Sequence, residues 1–299
     1  MRERGRVTNG VATIALALIA LVLPTGTPAA AATRERLPVV AAFYPVAWAV
    51  EQVGGNRVAV ENFTPAGAEP HDLELTTDQR DAMEDAAVAF VLGGGFQPAV
   101  EDAAELRDGP TVTLLDRKAI SGGSDDPHVW LDPARMAAIV DTVATALGDA
   151  SPRDRAAFER RAERLQDRLR TLDRQYRDGL ADCHQDTIVT SHEAFGRLAK
   201  AYGLRQRGVA GIAPDAEPDP QRLGKLADLV RTRGITTVFT EELVSPRIAE
   251  TLAREAGGVK TEVLNPLEGL SEAERRAGAD YFSVMVTNLA RLRAALECT

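Results

Sequence analysis

The chain is 299 residues long, with a formal net charge of -9, four histidines and two cysteines. An acidic chain without clustered basic sequence does not suit nucleic acid, so no nucleic-acid partner is expected. No short-period repeat and no low-complexity tract is present, which excludes solenoids and long disordered tails.

Arg2, Arg4 and Arg6 form a basic start, Val11 to Leu23 is a nearly unbroken apolar run, and Ala29 to Ala32 supply small residues. That layout predicts a secretory signal peptide over residues 1–32. The apolar run is about 13 residues, short of the ~20 that a membrane span needs. The mature chain is expected to start near Thr33, without a membrane span, as a periplasmic or extracellular monomer. No cysteine follows the apolar run, so a lipid anchor is not expected.

Four β-type runs come next: Leu37–Ala42, Val58–Phe63, Ala87–Leu92 and Thr111–Leu114. Each is followed by turn residues and helix-like sequence such as Thr77–Ala86 or Pro133–Leu147, a rhythm that predicts βα units on a parallel sheet. From Ser151-Pro152 the pattern changes. Phe158, Ala162, Leu165, Leu169, Leu172, Tyr176 and Leu180 recur at three- and four-residue spacing among charged residues. This predicts one amphipathic helix of about 30 residues, roughly 45 Å long, with Ser151 as N-cap. The βα rhythm then returns at Thr187–Thr190, Arg205–Val209, Ile235–Thr240 and Lys260–Leu264, and Ala279 to Leu296 reads as a final helix. The expected fold is α/β: two similar lobes with parallel sheets, residues 33–150 and 183–299, joined by a single long rigid helix over 151–182.

Cys183 and Cys298 form an even pair in an exported chain, which favours a disulfide. Two independent thiols, or a metal site formed by Cys183 and His184, are the alternatives.

Three histidines lie in turn-forming sequence: His71 in Ala-Glu-Pro-His71-Asp, His128 in Asp-Pro-His128-Val-Trp-Leu-Asp-Pro, and His192 in Thr-Ser-His192-Glu-Ala-Phe. Neutral imidazole is a good ligand for zinc and its neighbours. Ligands of open parallel sheets bind beyond the carboxyl ends of the strands, and all three histidines follow strands. A metal site in the inter-lobe cleft is therefore expected. Their spacing matches no short metal motif, and a loop histidine is more often a solvated residue.

Pro65-Ala-Gly-Ala-Glu-Pro-His71-Asp resembles the first ligand loop of the zinc and manganese solute-binding proteins of ABC importers. Asp126-Pro-His128-Val-Trp-Leu-Asp-Pro133 is similar to their second, and Thr190-Ser-His192-Glu-Ala-Phe195 to their third. Gly93-Gly-Gly95-Phe96 and Gly211-Ile-Ala-Pro214-Asp-Ala-Glu217-Pro218 also follow that pattern. The resemblance covers essentially the whole mature chain. It implies two lobes bridged by a rigid helix, His71, His128 and His192 as metal ligands, and delivery to an ABC-transporter membrane permease rather than catalysis. The family's fourth ligand is usually an aspartate, and its counterpart here is Asn265. Ligation by the Asn265 amide oxygen is expected, with water, Glu268 or Glu242 as alternatives. Three imidazoles and one oxygen favour Zn2+ over Mn2+ as the transported ion. Ser121 to Asp126 is too short to act as an auxiliary zinc-capturing loop. Two other classes stand behind this reading: a zinc hydrolase using Glu193 as general base, and an adhesin or metal-chelate importer component.

Overall fold

The structure is a computed structural model that describes residues 35–214 and 220–299, with Met1, Arg2, Gly5 and Gly10. The rest of the expected leader over 1–32, and residues 215–219 of the Gly211–Pro218 stretch, lie outside the described residues. The chain divides into units 1–34 and 35–299, and both sheets belong to the second.

The first sheet contains β1 (Leu37–Ala41), β2 (Val58–Asn62), β3 (Val88–Val91) and β4 (Thr111–Thr113), in the order β2-β1-β3-β4. The second contains β5 (Thr187–Thr190), β6 (Arg205–Gly208), β7 (Thr237–Thr240) and β8 (Lys260–Val263), in the order β6-β5-β7-β8. Every pairing is parallel; on β1, Val39 lies between Val60 and Val88. The central strands β3, β5 and β7 are buried at every position, as strands covered on both faces must be. All eight lie within the β-type runs of the sequence. The two sheets share one strand order, so the lobes repeat one topology.

The helices linking the first sheet are α1 (Tyr44–Gly54), α2 (Thr77–Asp85), α3 (Pro98–Leu106), α4 (Lys118–Ser121) and α5 (Pro133–Ala150). The bridging helix α6 (Arg155–Gly179) comes next. Then come α7 (Gly196–Ala201), α8 (Pro220–Arg233), α9 (Arg247–Glu255), α10 (Glu272–Arg276) and α11 (Tyr281–Ala295).

The helix α6 is 25 residues, about 38 Å, and buries the predicted stripe from Phe158 to Tyr176. It is shorter than its apolar pattern suggests because Pro152–Asp154 forms a 3-10 turn. Ser151 does not cap α6: its hydroxyl donates to Asp154 Oδ2 at 2.9 Å, and Asp154 also pairs with Arg57 at 2.7 Å. The far end of α6 is tied to the second lobe, where the Tyr176 hydroxyl donates to the Met285 carbonyl at 2.7 Å.

One apolar core runs from β1 through α5 and α6 to Phe195, Leu264, Leu267 and α11, while a smaller one sits under α8 and α9. The lobes thus share a continuous core. Cys183 and Cys298 are joined in a disulfide between the approach to β5 and the chain end. His184 is exposed and pairs with Glu297 at 3.6 Å. A Cys183–His184 metal site is therefore ruled out.

Candidate metal centre

The four loops that meet at the cleft all leave carboxyl ends of strands. In the loop after β2, Glu69 Oε1 accepts from the His71 backbone N–H at 3.0 Å. The His71 ring packs on Phe96, centroid to centroid 4.3 Å. Phe96 is presented by Gly93, Gly94 and Gly95, at φ 88°, 74° and 77°, a run of left-handed backbone that only glycines adopt without strain.

The motif around His128 has a physical reason at each end. Asp126 Oδ1 accepts from the His128 backbone N–H at 3.0 Å and holds Nδ1 of its ring at 2.9 Å. Asp132 caps α5 by accepting from Ala134 N–H, with Pro133 at the first helical position. Between them, Val129–Leu131 are buried in a 3-10 turn, and the Trp130 Nε1–H donates to the Pro266 carbonyl in the other lobe at 2.7 Å.

His192 follows β5 directly. Its backbone N–H donates to Glu241 Oε1 at 3.0 Å, and its Nδ1 lies 2.5 Å from Glu241 Oε2. The Gln206 side chain donates to the His192 carbonyl at 2.8 Å. Glu241, at the end of β7, is missed by the reading of the sequence. No signal in the sequence marks it, because it is 49 residues from His192 and the pairing of β5 with β7 brings the two together.

The fourth loop follows β8, and its residues 264–270 are all buried. Leu267 takes φ 57°, which costs a branched side chain of this kind on the order of 1–3 kcal/mol. Asn265 holds that turn, its Oδ1 accepting from Leu267 N–H at 2.7 Å and its Nδ2 donating to Glu274 Oε1 at 2.8 Å. Asn265 is the residue expected as the fourth ligand. Its carboxamide is committed to shaping the loop, and the group delivered to the cleft is Glu268.

His71, His128, His192 and Glu268 each offer one ligand atom, and these atoms lie within 4.8 Å of one another. One oxygen, Glu268 Oε1, lies 3.6 Å from His71 Nε2, 3.1 Å from His128 Nε2 and 3.1 Å from His192 Nε2. Ligand atoms of a tetrahedral zinc site, at bonds of about 2.0–2.1 Å, sit roughly 3.3 Å apart. The Nε2 atoms of His71 and His128 are buried and make no hydrogen bond among the described residues. Both face Glu268 Oε1 without hydrogen-bond geometry to it, an arrangement that suits an ion between them.

The electrostatics agree. Burial pulls the His192 imidazole down, but hydrogen bonds to Glu241 and Glu268 and their charges outweigh it, raising it to about 10. The same opposition, with Asp126 and Glu268 as partners, raises His128. Burial would raise Glu268, yet the His128, His192 and His71 rings around it hold it well below the usual carboxylate range. Glu193, by contrast, is half exposed and pairs with Arg222 at 2.5 Å. Glu242 and Asn265 line a separate cavity with Glu274 and Arg291.

Among the described residues, no helix is long and apolar enough to cross a membrane.

Known proteins resemble the chain over most of its length. The zinc-binding protein AdcA of Streptococcus pyogenes serotype M6 is 36% identical over 86% of this chain and 56% of its own length. The chain thus spans about half of that relative. The high-affinity zinc uptake system protein ZnuA of Bacillus subtilis is 32% identical over 88% of both chains. The crystal structure of the Zn(II)-bound ZnuA-like domain of Streptococcus pneumoniae AdcA superimposes with a TM-score of 0.76. It is 35% identical, covering 88% of this chain and all of that one. The pneumococcal relative is named a zinc-binding lipoprotein, at odds with the expectation of no lipid anchor; both cysteines of this chain are joined to each other. Residues 39–295 match the family described as zinc-uptake complex component A, periplasmic, and the chain belongs to that family.

Proposed function

We propose that the chain captures Zn2+ outside the cytoplasmic membrane and hands it to the permease of an ABC transporter. The observation that carries this reading is the convergence of three imidazole Nε2 atoms on one buried carboxylate oxygen, Glu268 Oε1. His71, His128, His192 and Glu268 are the ligands, and Asp126 and Glu241 orient two of the rings from behind, as carboxylates do behind zinc-bound histidines. Three nitrogens around one oxygen, at 3.1–3.6 Å from it, suit zinc, whereas manganese prefers more oxygens. Buried Glu268 and Glu241 together match the charge of a divalent cation.

A hydrolase keeps one metal position open for water. Glu268 fills that position, and Glu193 is turned to Arg222. Both features favour storage and transfer of the ion over catalysis. The continuous core between the lobes favours release by movement of the ligand loops over wide hinge opening.

The test is metal stoichiometry after exposure to equal, limiting zinc and manganese. About one zinc per chain is expected for the wild type and none for His192→Ala. A preference for manganese overturns the choice of ion, and no bound metal overturns the capture reading.

A further inference from the structure

We infer that Arg197 is a positioning residue of this centre, acting across the cleft on His128 through Asp126. The inference rests on the reading that His128 is a zinc ligand. Arg197 belongs to α7, which begins four residues after His192, and it is buried at 6% exposure. Its guanidinium reaches into the other lobe. Nη1 donates to the Ser121 carbonyl at 2.6 Å, Nη2 to the Ser124 carbonyl at 2.9 Å and Nε to the Asp126 carbonyl at 2.8 Å. All three acceptors lie on the segment that leads into His128.

That segment turns through Gly122 and Gly123, which both take left-handed backbone, φ 58° and 72°. Its last member, Asp126, is the residue that grips both the backbone and the ring of His128. Asp126 is also held from the side. Arg197 Nε is 3.8 Å from its Oδ2, and a Cβ at Gly196 would come within 2.8 Å of the same oxygen. The carboxylate thus lies between a glycine that leaves it room and an arginine that fixes its backbone.

A buried arginine placed for stability alone is readily replaced by apolar packing, since its desolvation offsets most of what its ion pairs contribute. Arg197 instead directs its donors at main-chain carbonyls of one ligand loop. Through it, α7 and the His192 loop are latched to the His128 loop, so that the two ligands from opposite lobes keep one relative placement.

The experiment uses the full chain and compares Arg197→Met, Arg197→Lys, Gly196→Ala and Asp126→Asn. Zinc dissociation into excess chelator, the visible spectrum of the Co2+-substituted protein and the thermal midpoint of the metal-free protein are read for each. Arg197→Met is expected to release zinc about 10- to 100-fold faster, the range for outer-sphere partners of metal ligands. Its cobalt spectrum should shift, and Arg197→Lys should restore part of the loss. In an Asp126→Asn background, Arg197→Met should add little. Gly196→Ala should speed release without removing a donor, and it carries the test should Arg197→Met fail to fold.

A lowered thermal midpoint with zinc release and cobalt spectrum unchanged overturns the inference, as do fully additive effects with Asp126→Asn. A wild type that holds no zinc instead overturns the capture reading itself, and this inference with it.

Discussion

Trp130 Nε1–H donates to the carbonyl of Pro266 at 2.7 Å, joining a residue two places after His128 to one two places before Glu268. The Tyr281 hydroxyl donates to the Trp130 carbonyl from α11, also at 2.7 Å, and the Gly67 N–H donates to the Leu270 carbonyl at 3.0 Å. The loops carrying His71, His128 and Glu268 are therefore bonded to one another across the cleft, not merely adjacent.

Replacing Trp130 by Phe keeps an aromatic ring and leaves the Pro266 carbonyl buried without a donor. A loss of about 1–3 kcal/mol in stability is expected, with faster zinc release. Urea unfolding and chelator-driven dissociation check both, and an unchanged dissociation rate would separate that bond from the site.

Glu268→Gln replaces the charged carboxylate on which the three rings converge with a neutral carboxamide, whose oxygen is a weaker ligand. Zinc affinity is expected to fall by more than about 100-fold, beyond the 10- to 100-fold range seen for groups that only support a ligand. Competition against a chromophoric chelator measures it.

Asn265→Asp gives the opposite result to a gained ligand. The new carboxylate would face Glu274 Oε1, which the amide now approaches as a donor at 2.8 Å. A lower thermal midpoint and no gain in zinc affinity are expected; tighter zinc binding would show that the β8 loop can turn Asn265 toward the cleft.

Zinc uptake should release protons. His192 is raised from 6.5 to about 10, so below about pH 10 the metal displaces a proton from it, and affinity should rise about tenfold per pH unit for each proton displaced. The same raised value stabilises the metal-free fold fully below about pH 6.5, and that contribution is lost as pH rises through 10. The thermal gap between zinc-loaded and metal-free protein should therefore widen as pH rises toward 10. Calorimetry in buffers of different ionisation enthalpy counts the protons, and a flat affinity profile would refute the coupling.

Exchanging Cys183 and Cys298 for Ala should cost roughly 4–5 kcal/mol in the chain-entropy model, because the bridge closes a separation of 115 residues. Zinc stoichiometry should be unchanged, since neither sulfur is among the four clustered ligand residues. Urea midpoints with and without reductant provide the measurement.

Most of the fold was legible because its signals are local. Buried parallel strands such as β5 and β7 read as short apolar runs, and α6 reads as a three-four stripe. The three histidines stood out because each follows a strand in turn-forming sequence. For Asn265, position in a motif does not say where a side chain's hydrogen bonds go. Its amide bonds Leu267 and Glu274, and the residue of this loop that clusters with the three histidines is Glu268, three residues on. Glu241 and Arg197 were illegible for a different reason. Their partners, His192 and the segment 121–126, are 49 and 71–76 residues away; the pairing of β5 with β7 brings the first pair together, and the packing of the lobes the second.

Glu268 lies on the loop after the last strand of the second sheet, yet it is the hub for two histidines of the first. No fragment that stops short of β8 contains the full cage, and the earlier loops lose their cross-braces with it. On the proposed reading, a chain cut before β8 would keep all three histidines and still lack the carboxylate on which they converge.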